Sequence, residues 1–207
     1  MRIISGEHKG RILSSVNKAK IRPSSDKVKG SIFNVLKGEV FGKKVLDLFA
    51  GSGNLGIEAL SRGAEFATFV DSSLQSIRII KRNLESLNLE KRSKMMGKDC
   101  FKSLPKLSVR GATPREIGGS AYGRQGKFGI IFADPPYLCD FAQKVIDSVV
   151  KYDLLEKDGI LVLEHHKKET FKCPENKLFY IKAKRFGDTM VSFFIKKSET
   201  ACPTLEP

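Results

Sequence analysis

Asp47-Leu48-Phe49-Ala50-Gly51-Ser52-Gly53-Asn54-Leu55-Gly56 is the stretch on which the fold turns. It begins inside Lys44-Val-Leu-Asp-Leu-Phe-Ala50, a largely apolar run that suits a strand buried on both faces. Glycines 51, 53 and 56 then spell G-x-G-x-x-G, and a helix is predicted to follow through about Ser61. Glycines let a backbone approach a ligand closely, at the N-terminal end of a helix. Asp71 follows Gly51 by 20 residues, closing a second predicted strand, Phe66–Val70, where a dinucleotide site keeps an acid for a ribose hydroxyl.

Working outward, strands and helices alternate. Ile77, Ile80, Leu84 and Leu87 mark an amphipathic helix, and a shorter strand is expected at 93–97. Phe128-Gly-Ile-Ile-Phe-Ala133 and Gly159-Ile-Leu-Val-Leu-Glu164 read as buried strands, with a helix carrying Val145, Ile146, Val149 and Val150 between them. Two further strands, near 178–184 and 190–196, flank a short turn at Phe186-Gly187-Asp188. This is the signature of an α/β domain with a mostly parallel sheet and an antiparallel C-terminal hairpin. At the other end, residues 2–5 and 10–14 suggest a small N-terminal β-hairpin. Pro23 is read as ending the extended segment after it, and Ser24, Ser25 or Asp26 as capping the helix that carries Val28, Ile32 and Val35. The chain divides accordingly into a hairpin extension (1–22), the main domain (23–197) and a flexible tail (198–207). Residues 108–127 are polar, glycine-rich and aperiodic, a loop long enough to be functional.

The glycine motif alone would admit NAD. Asp47 redirects it, because a carboxylate at the strand end opposes a pyrophosphate and suits an ammonium group. Asp47, Asp71 and Asp99, each following a successive strand, fit the cationic S-adenosylmethionine, with Asp99 placed for the adenine amine.

Asp134-Pro135-Pro136-Tyr137, at the end of the fourth strand, carries the sharpest chemistry. Prolines remove backbone donors and leave carbonyls free to face a cleft. An exocyclic base amine has its lone pair delocalised into the ring. Accepting its two N–H groups, on Asp134 and the Pro135 carbonyl, would hold the nitrogen in line with a methyl donor, catalysis by positioning and electrostatics. Tyr137 would stack the extruded base.

The net charge of +14, from 37 Lys and Arg against 23 Asp and Glu, suits a polyanionic partner. Lys9, Arg11, Lys18, Lys20 and Arg22 are candidates for phosphate contacts, and the Arg185–Asp188 turn for a substrate contact. Four dispersed cysteines, with Glu164-His165-His166 lacking further ligands, predict no metal site and free thiols in a cytoplasmic protein. No apolar run is long enough to span a membrane.

Together these residues resemble class I amino methyltransferases, whose hallmark is (D/N)-P-P-(Y/F/W). Arg2-Ile-Ile-Ser-Gly6 with Lys9-Gly10, Arg22-Pro-Ser-Ser-Asp26, Val45–Gly53, Glu58-Ala-Leu-Ser-Arg-Gly-Ala64 and Asp134–Tyr137 narrow the resemblance to the RsmD family of bacterial 16S ribosomal RNA guanine-N2 methyltransferases, up to about residue 197. The resemblance implies a Rossmann-like seven-stranded sheet and an S-adenosylmethionine cofactor. It also implies guanine N2 as acceptor, in 16S rRNA of a 30S subunit or assembly intermediate. It places Arg22, Ser24 and Asp26 beside the pocket, and gives Asp47, Phe49, Gly51, Gly53, Asp71 and Asp99 to the cofactor. Asp134, Pro135, Pro136 and Tyr137 go to catalysis. Ser24 stands where the family usually has Thr, Asp71 where it often has Glu, and the 108–127 loop is longer than the family leads one to expect. One compact domain without heptads makes a monomer the expectation. Competing readings are a DNA adenine-N6 or cytosine-N4 methyltransferase with the same chemistry, an NAD-dependent dehydrogenase, and a non-enzymatic rRNA-binding assembly factor.

Overall fold

The computed structural model describes residues 1–15, 23–108, 127–174 and 177–197, with only the backbone described at 23–25. Among the described residues five α-helices and seven strands follow in the order α1 (Pro23–Leu36), β1 (Lys44–Leu48), α2 (Asn54–Ser61), β2 (Phe66–Asp71), α3 (Leu74–Ser86), β3 (Ser93–Gly97), α4 (Cys100–Leu107), β4 (Phe128–Ala133), α5 (Phe141–Lys151), β5 (Leu155–His166), β6 (Phe179–Phe186) and β7 (Thr189–Ile195). The strands form one sheet in the order β3-β2-β1-β4-β5-β7-β6. Strands β1 to β5 pair in parallel, and β7 lies antiparallel between β5 and β6. The α/β class and the antiparallel C-terminal hairpin are as the sequence indicates.

The apolar runs are explained by what covers them. Val45, Ala67, Phe69, Ile130 and Phe132 pack on one face beneath α1, α2 and α3. Leu46, Leu48, Val70, Ile131 and Ala133 pack on the other beneath α4 and α5. Both faces of the central strands are therefore dry, and each fully buried Leu or Phe contributes about 1.5–3 kcal/mol of transfer free energy.

Three expectations need correction. Helix α1 starts at Pro23 itself, so Ser24–Asp26 fall inside its first turn and do not cap it. Proline is suited to that place, its fixed φ being helical and its missing N–H costing nothing there. The N-terminal strands are shorter than expected: one antiparallel bridge, Arg2↔Ile12, with Ile3, Gly10 and Leu13 donating across the turn. The cause is Glu58, whose carboxylate takes the N–H groups of Ile4 and Ser5 and ties that segment to α2. Finally, β5 is twice as long as the predicted Gly159–Glu164 strand, because Leu155 already pairs with Phe128. Most of the 108–127 loop and the 198–207 tail lie outside the described residues.

The strand order reverses between β1 and β4. Ligands of open α/β sheets bind outside the carboxyl ends of the strands at such a switch point.

Candidate active site

The glycine turn after β1 is built from strain held by neighbours. Phe49 and Gly53 both have positive φ, 57° and 77°. At Gly53 a Cβ would also lie 3.2 Å from Ile57 and Phe69, so only glycine fits. Gly56 must be bare for a different reason: a Cβ there would sit 2.4 Å from the Phe69 ring that packs under α2. Two carboxylates hold the turn. Asp71 accepts the Gly51 N–H and the Ser73 N–H, both at 2.8 Å. Asp47, buried under the turn, accepts the Gly56 N–H at 2.9 Å. Burial pushes the Asp47 pKa up to about 7, against the pull of that N–H and with help from the Asp71 charge.

Above this turn opens a cavity of about 670 Å³. Phe49, Ala50, Gly51 and Ser52 line it together with Asp134, Tyr137, Glu164 and His166 and with the Phe186–Thr189 turn. Val28, Lys29 and Ile32 of α1 form part of the lining, although Lys29 is occupied elsewhere. It donates to Arg2 O and Asn54 Oδ1, and pairs with Glu58 at 3.2 Å. Burial lowers the Lys29 pKa, against the Glu58 charge that raises it.

The part of the lining at the ends of β4 and β5 is acidic. Ala133 pairs with Leu163 across β4 and β5, so the next residues, Asp134 and Glu164, stand side by side at the strand ends. Glu164 accepts the Tyr137 hydroxyl at 2.9 Å, and the same hydroxyl lies 2.9 Å from Thr189 Oγ1. Asp134 is exposed and lines the cavity. Enclosure by the cleft first, then the Glu164 and Asp47 charges, raise its pKa. Desolvation likewise raises Glu164, which the Tyr137 hydroxyl partly offsets. Such a wall repels a pyrophosphate. It fits a cationic ligand and hydrogen-bond donors, which argues against the dinucleotide reading of the glycine motif.

Of the residues singled out in the sequence, the structure brings Phe49, Gly51, Asp134 and Tyr137 to this cavity. Asp47 and Asp71 support the turn from beneath and beside it. Asp99 is not among the residues that line the cavity: it is exposed and caps α4, accepting the Lys102 N–H at 2.9 Å. Asp26 is half-buried, with an Oδ1 that has no hydrogen-bond partner among the described residues. Arg22 lies outside the described residues, as do Lys18 and Lys20; Ser24 is described in backbone only. Pro135 is buried and Pro136 exposed. The Arg185–Asp188 turn does reach the cavity, through Phe186, Gly187 and Asp188.

Glu164, Lys29 and Thr189 are pocket residues that motif reading missed. For Glu164 a signal existed, since it ends the strand that a parallel sheet places next to β4. Among the described residues, no His, Cys, Asp and Glu cluster could hold a metal ion, and no helix is long and apolar enough to cross a membrane. Cys100, Cys139 and Cys173 are free thiols.

A family model described as conserved hypothetical protein 95 matches residues 1–195. The protein YlbH of Bacillus subtilis is 38% identical over 197 residues, covering 95% of this chain and all of its own length. The ribosomal RNA small subunit methyltransferase D of Buchnera aphidicola is 30% identical over 180 residues, 87% of this chain and 85% of its own. A solved structure of a Haemophilus influenzae protein superposes with a TM-score of 0.73 at 27% identity, covering 95% of this chain and 98% of that one.

Proposed function

This chain belongs to the conserved hypothetical protein 95 family, the RsmD family that its motifs resemble, and from that premise we propose that it methylates guanine N2 in 16S ribosomal RNA, using S-adenosylmethionine. The observation that carries the reading is that Asp134 and the glycine turn line one cavity, at the ends of the neighbouring strands β4 and β1. Relatives named ribosomal RNA small subunit methyltransferase D support the RNA substrate.

The cofactor supplies a methyl group made electrophilic by its sulfonium. The chain's residues do the rest. The Gly51–Gly53 turn, fixed by Asp71, offers backbone to the cofactor, and Asp47 provides negative potential beneath it. Phe49, braced against Phe141 at 6.1 Å and Phe101 at 5.8 Å, forms an apolar wall. Asp134 and the Pro135 carbonyl accept the two N–H groups of the acceptor amine and aim its nitrogen at the methyl group. After transfer the amine carries a proton to be lost, and Asp134, with its raised pKa, is the nearest base. The Tyr137 hydroxyl, held by Glu164 and Thr189, fixes the ring against which the base rests. The family resemblance also gives the cofactor Arg22, Ser24 and Asp26, and Asp99, whose second carboxylate oxygen would take the adenine amine. The enzyme acts as a cytoplasmic monomer on a 30S subunit or assembly intermediate.

The test is transfer of tritiated methyl groups from the cofactor to 30S particles, free 16S rRNA and duplex DNA from a strain lacking the activity, followed by nucleoside analysis. Label in N2-methylguanosine from RNA is the expected result. Label in methyladenine or methylcytosine of DNA would keep the chemistry and overturn the substrate.

A further inference from the structure

Glu164 has a place in this cavity that the motif chemistry leaves unused. It ends β5 beside Asp134 at the end of β4, and adjacent strands lie about 4.8 Å apart. Both carboxylates line the same cavity. Glu164 Oε1 is engaged by the Tyr137 hydroxyl, which Thr189 steadies in turn, so the carboxylate is oriented from behind. Among the described residues no lysine or arginine forms an ion pair with either Asp134 or Glu164. Two neighbouring acceptors on one wall call for a ligand edge made of adjacent donors.

Only one of the common bases with an exocyclic amine supplies such an edge. Guanine presents its N2 amine next to N1–H, donors throughout. Adenine presents its N6 amine next to the N1 lone pair, and cytosine its N4 amine next to the N3 lone pair. Once Asp134 holds the amine, the neighbouring carboxylate meets a proton in guanine and a lone pair in the other two.

We propose that Glu164 is the specificity-determining residue of this cavity, accepting the N1–H of the guanine whose N2 amine Asp134 holds. The inference deepens the function proposed above and rests on its assignment of Asp134 to the acceptor amine. A site built to bond a substrate N–H rejects an analogue lacking it by roughly 10²-fold or more.

The experiment uses 16S rRNA assembled by splinted ligation, with guanosine or 2-aminopurine at the nucleotide that the wild-type protein labels. 2-Aminopurine keeps the amine and replaces N1–H by a lone pair. Wild type should prefer guanosine by about 10²-fold or more in kcat/KM. In Glu164→Gln the side-chain amide still accepts the Tyr137 hydroxyl but can donate to the lone pair, so the preference should shrink to within about tenfold. Tyr137→Phe, which removes the hydroxyl and keeps the carboxylate, should lower activity without collapsing the preference. If Glu164→Gln does not fold, Glu164→Asp withdraws the charge by one methylene and should also cut the preference at least about tenfold. An unchanged preference in the Glu164 variants, or an equal collapse in Tyr137→Phe, would overturn the proposal. A wild-type protein that labels adenine or cytosine overturns the guanine reading itself, a result seen before any variant is made.

Discussion

Lys29 Nζ lies 3.2 Å from Glu58 Oε2 with both side chains closed off from water. Glu58 also accepts the Ile4 and Ser5 N–H groups and the Arg62 guanidinium, while Lys29 donates to Arg2 O and Asn54 Oδ1. One buried pair thus joins the N-terminal hairpin to α1 and α2, along the edge of the candidate active site.

Removing either partner should not cost the same. Glu58→Leu leaves a buried ammonium and two orphaned N–H groups, and should lose about 3–5 kcal/mol. Lys29→Met leaves Glu58 with Arg62 and both N–H donors, and should lose at least about 1 kcal/mol less than that. Urea denaturation of the two variants checks the order; equal losses would mean the hairpin is held by other contacts.

Asp47 makes stability depend on pH in an unusual sense. Its folded pKa of about 7 lies above the unfolded value of 3.8, so the native state binds the proton more tightly. Its contribution is full below the unfolded value and is lost as pH rises through about 7. Asp47→Asn keeps an oxygen for the Gly56 N–H and removes the titration. The wild-type melting temperature should therefore fall more between pH 5 and pH 8 than that of the variant, measured without cofactor. Parallel curves would contradict the assignment.

The paired carboxylates predict an acidic limb in the methylation rate. Asp134 is raised by enclosure, then by Glu164 and Asp47, and both wall acids must be ionised to accept N–H groups. Activity should therefore fall, as pH is lowered, already above the usual carboxylate range. In Glu164→Gln one source of repulsion is gone, and the limb should move to lower pH. A limb unmoved by that change would mean the two groups do not interact.

A chain with net charge +14 that binds RNA should do so with strong salt dependence. Filter binding of 16S rRNA between 50 and 200 mM salt should weaken by about 10²-fold or more if several phosphates are contacted. A flat response would leave the excess charge without a role in binding.

The fold was legible because each central strand is an apolar run covered on both faces, which five or six residues suffice to reveal. Helix α4 was not: Pro105 inside it and the polar residues beyond it disguise an apolar stripe of Cys100, Leu104 and Leu107. The site was legible where one segment carries it, as in Asp134–Tyr137 and the Gly51–Gly56 turn. It was not where the sheet makes neighbours of distant residues. Glu164 reads as the end of a strand until the register of β4 on β5 sets it beside Asp134, and Lys29, which no motif singles out, is found only through its buried pair with Glu58.

The central claim is that Asp134 acts on the acceptor amine and not on the cofactor. It is tested most directly by measuring, for wild type and Asp134→Ala, both the dissociation constant of S-adenosylmethionine by calorimetry and single-turnover methyl transfer to 16S rRNA. The account predicts cofactor affinity within about threefold and transfer slower by at least about 10²-fold. Transfer at the wild-type rate, or a loss matched by an equal loss of cofactor affinity, would contradict it.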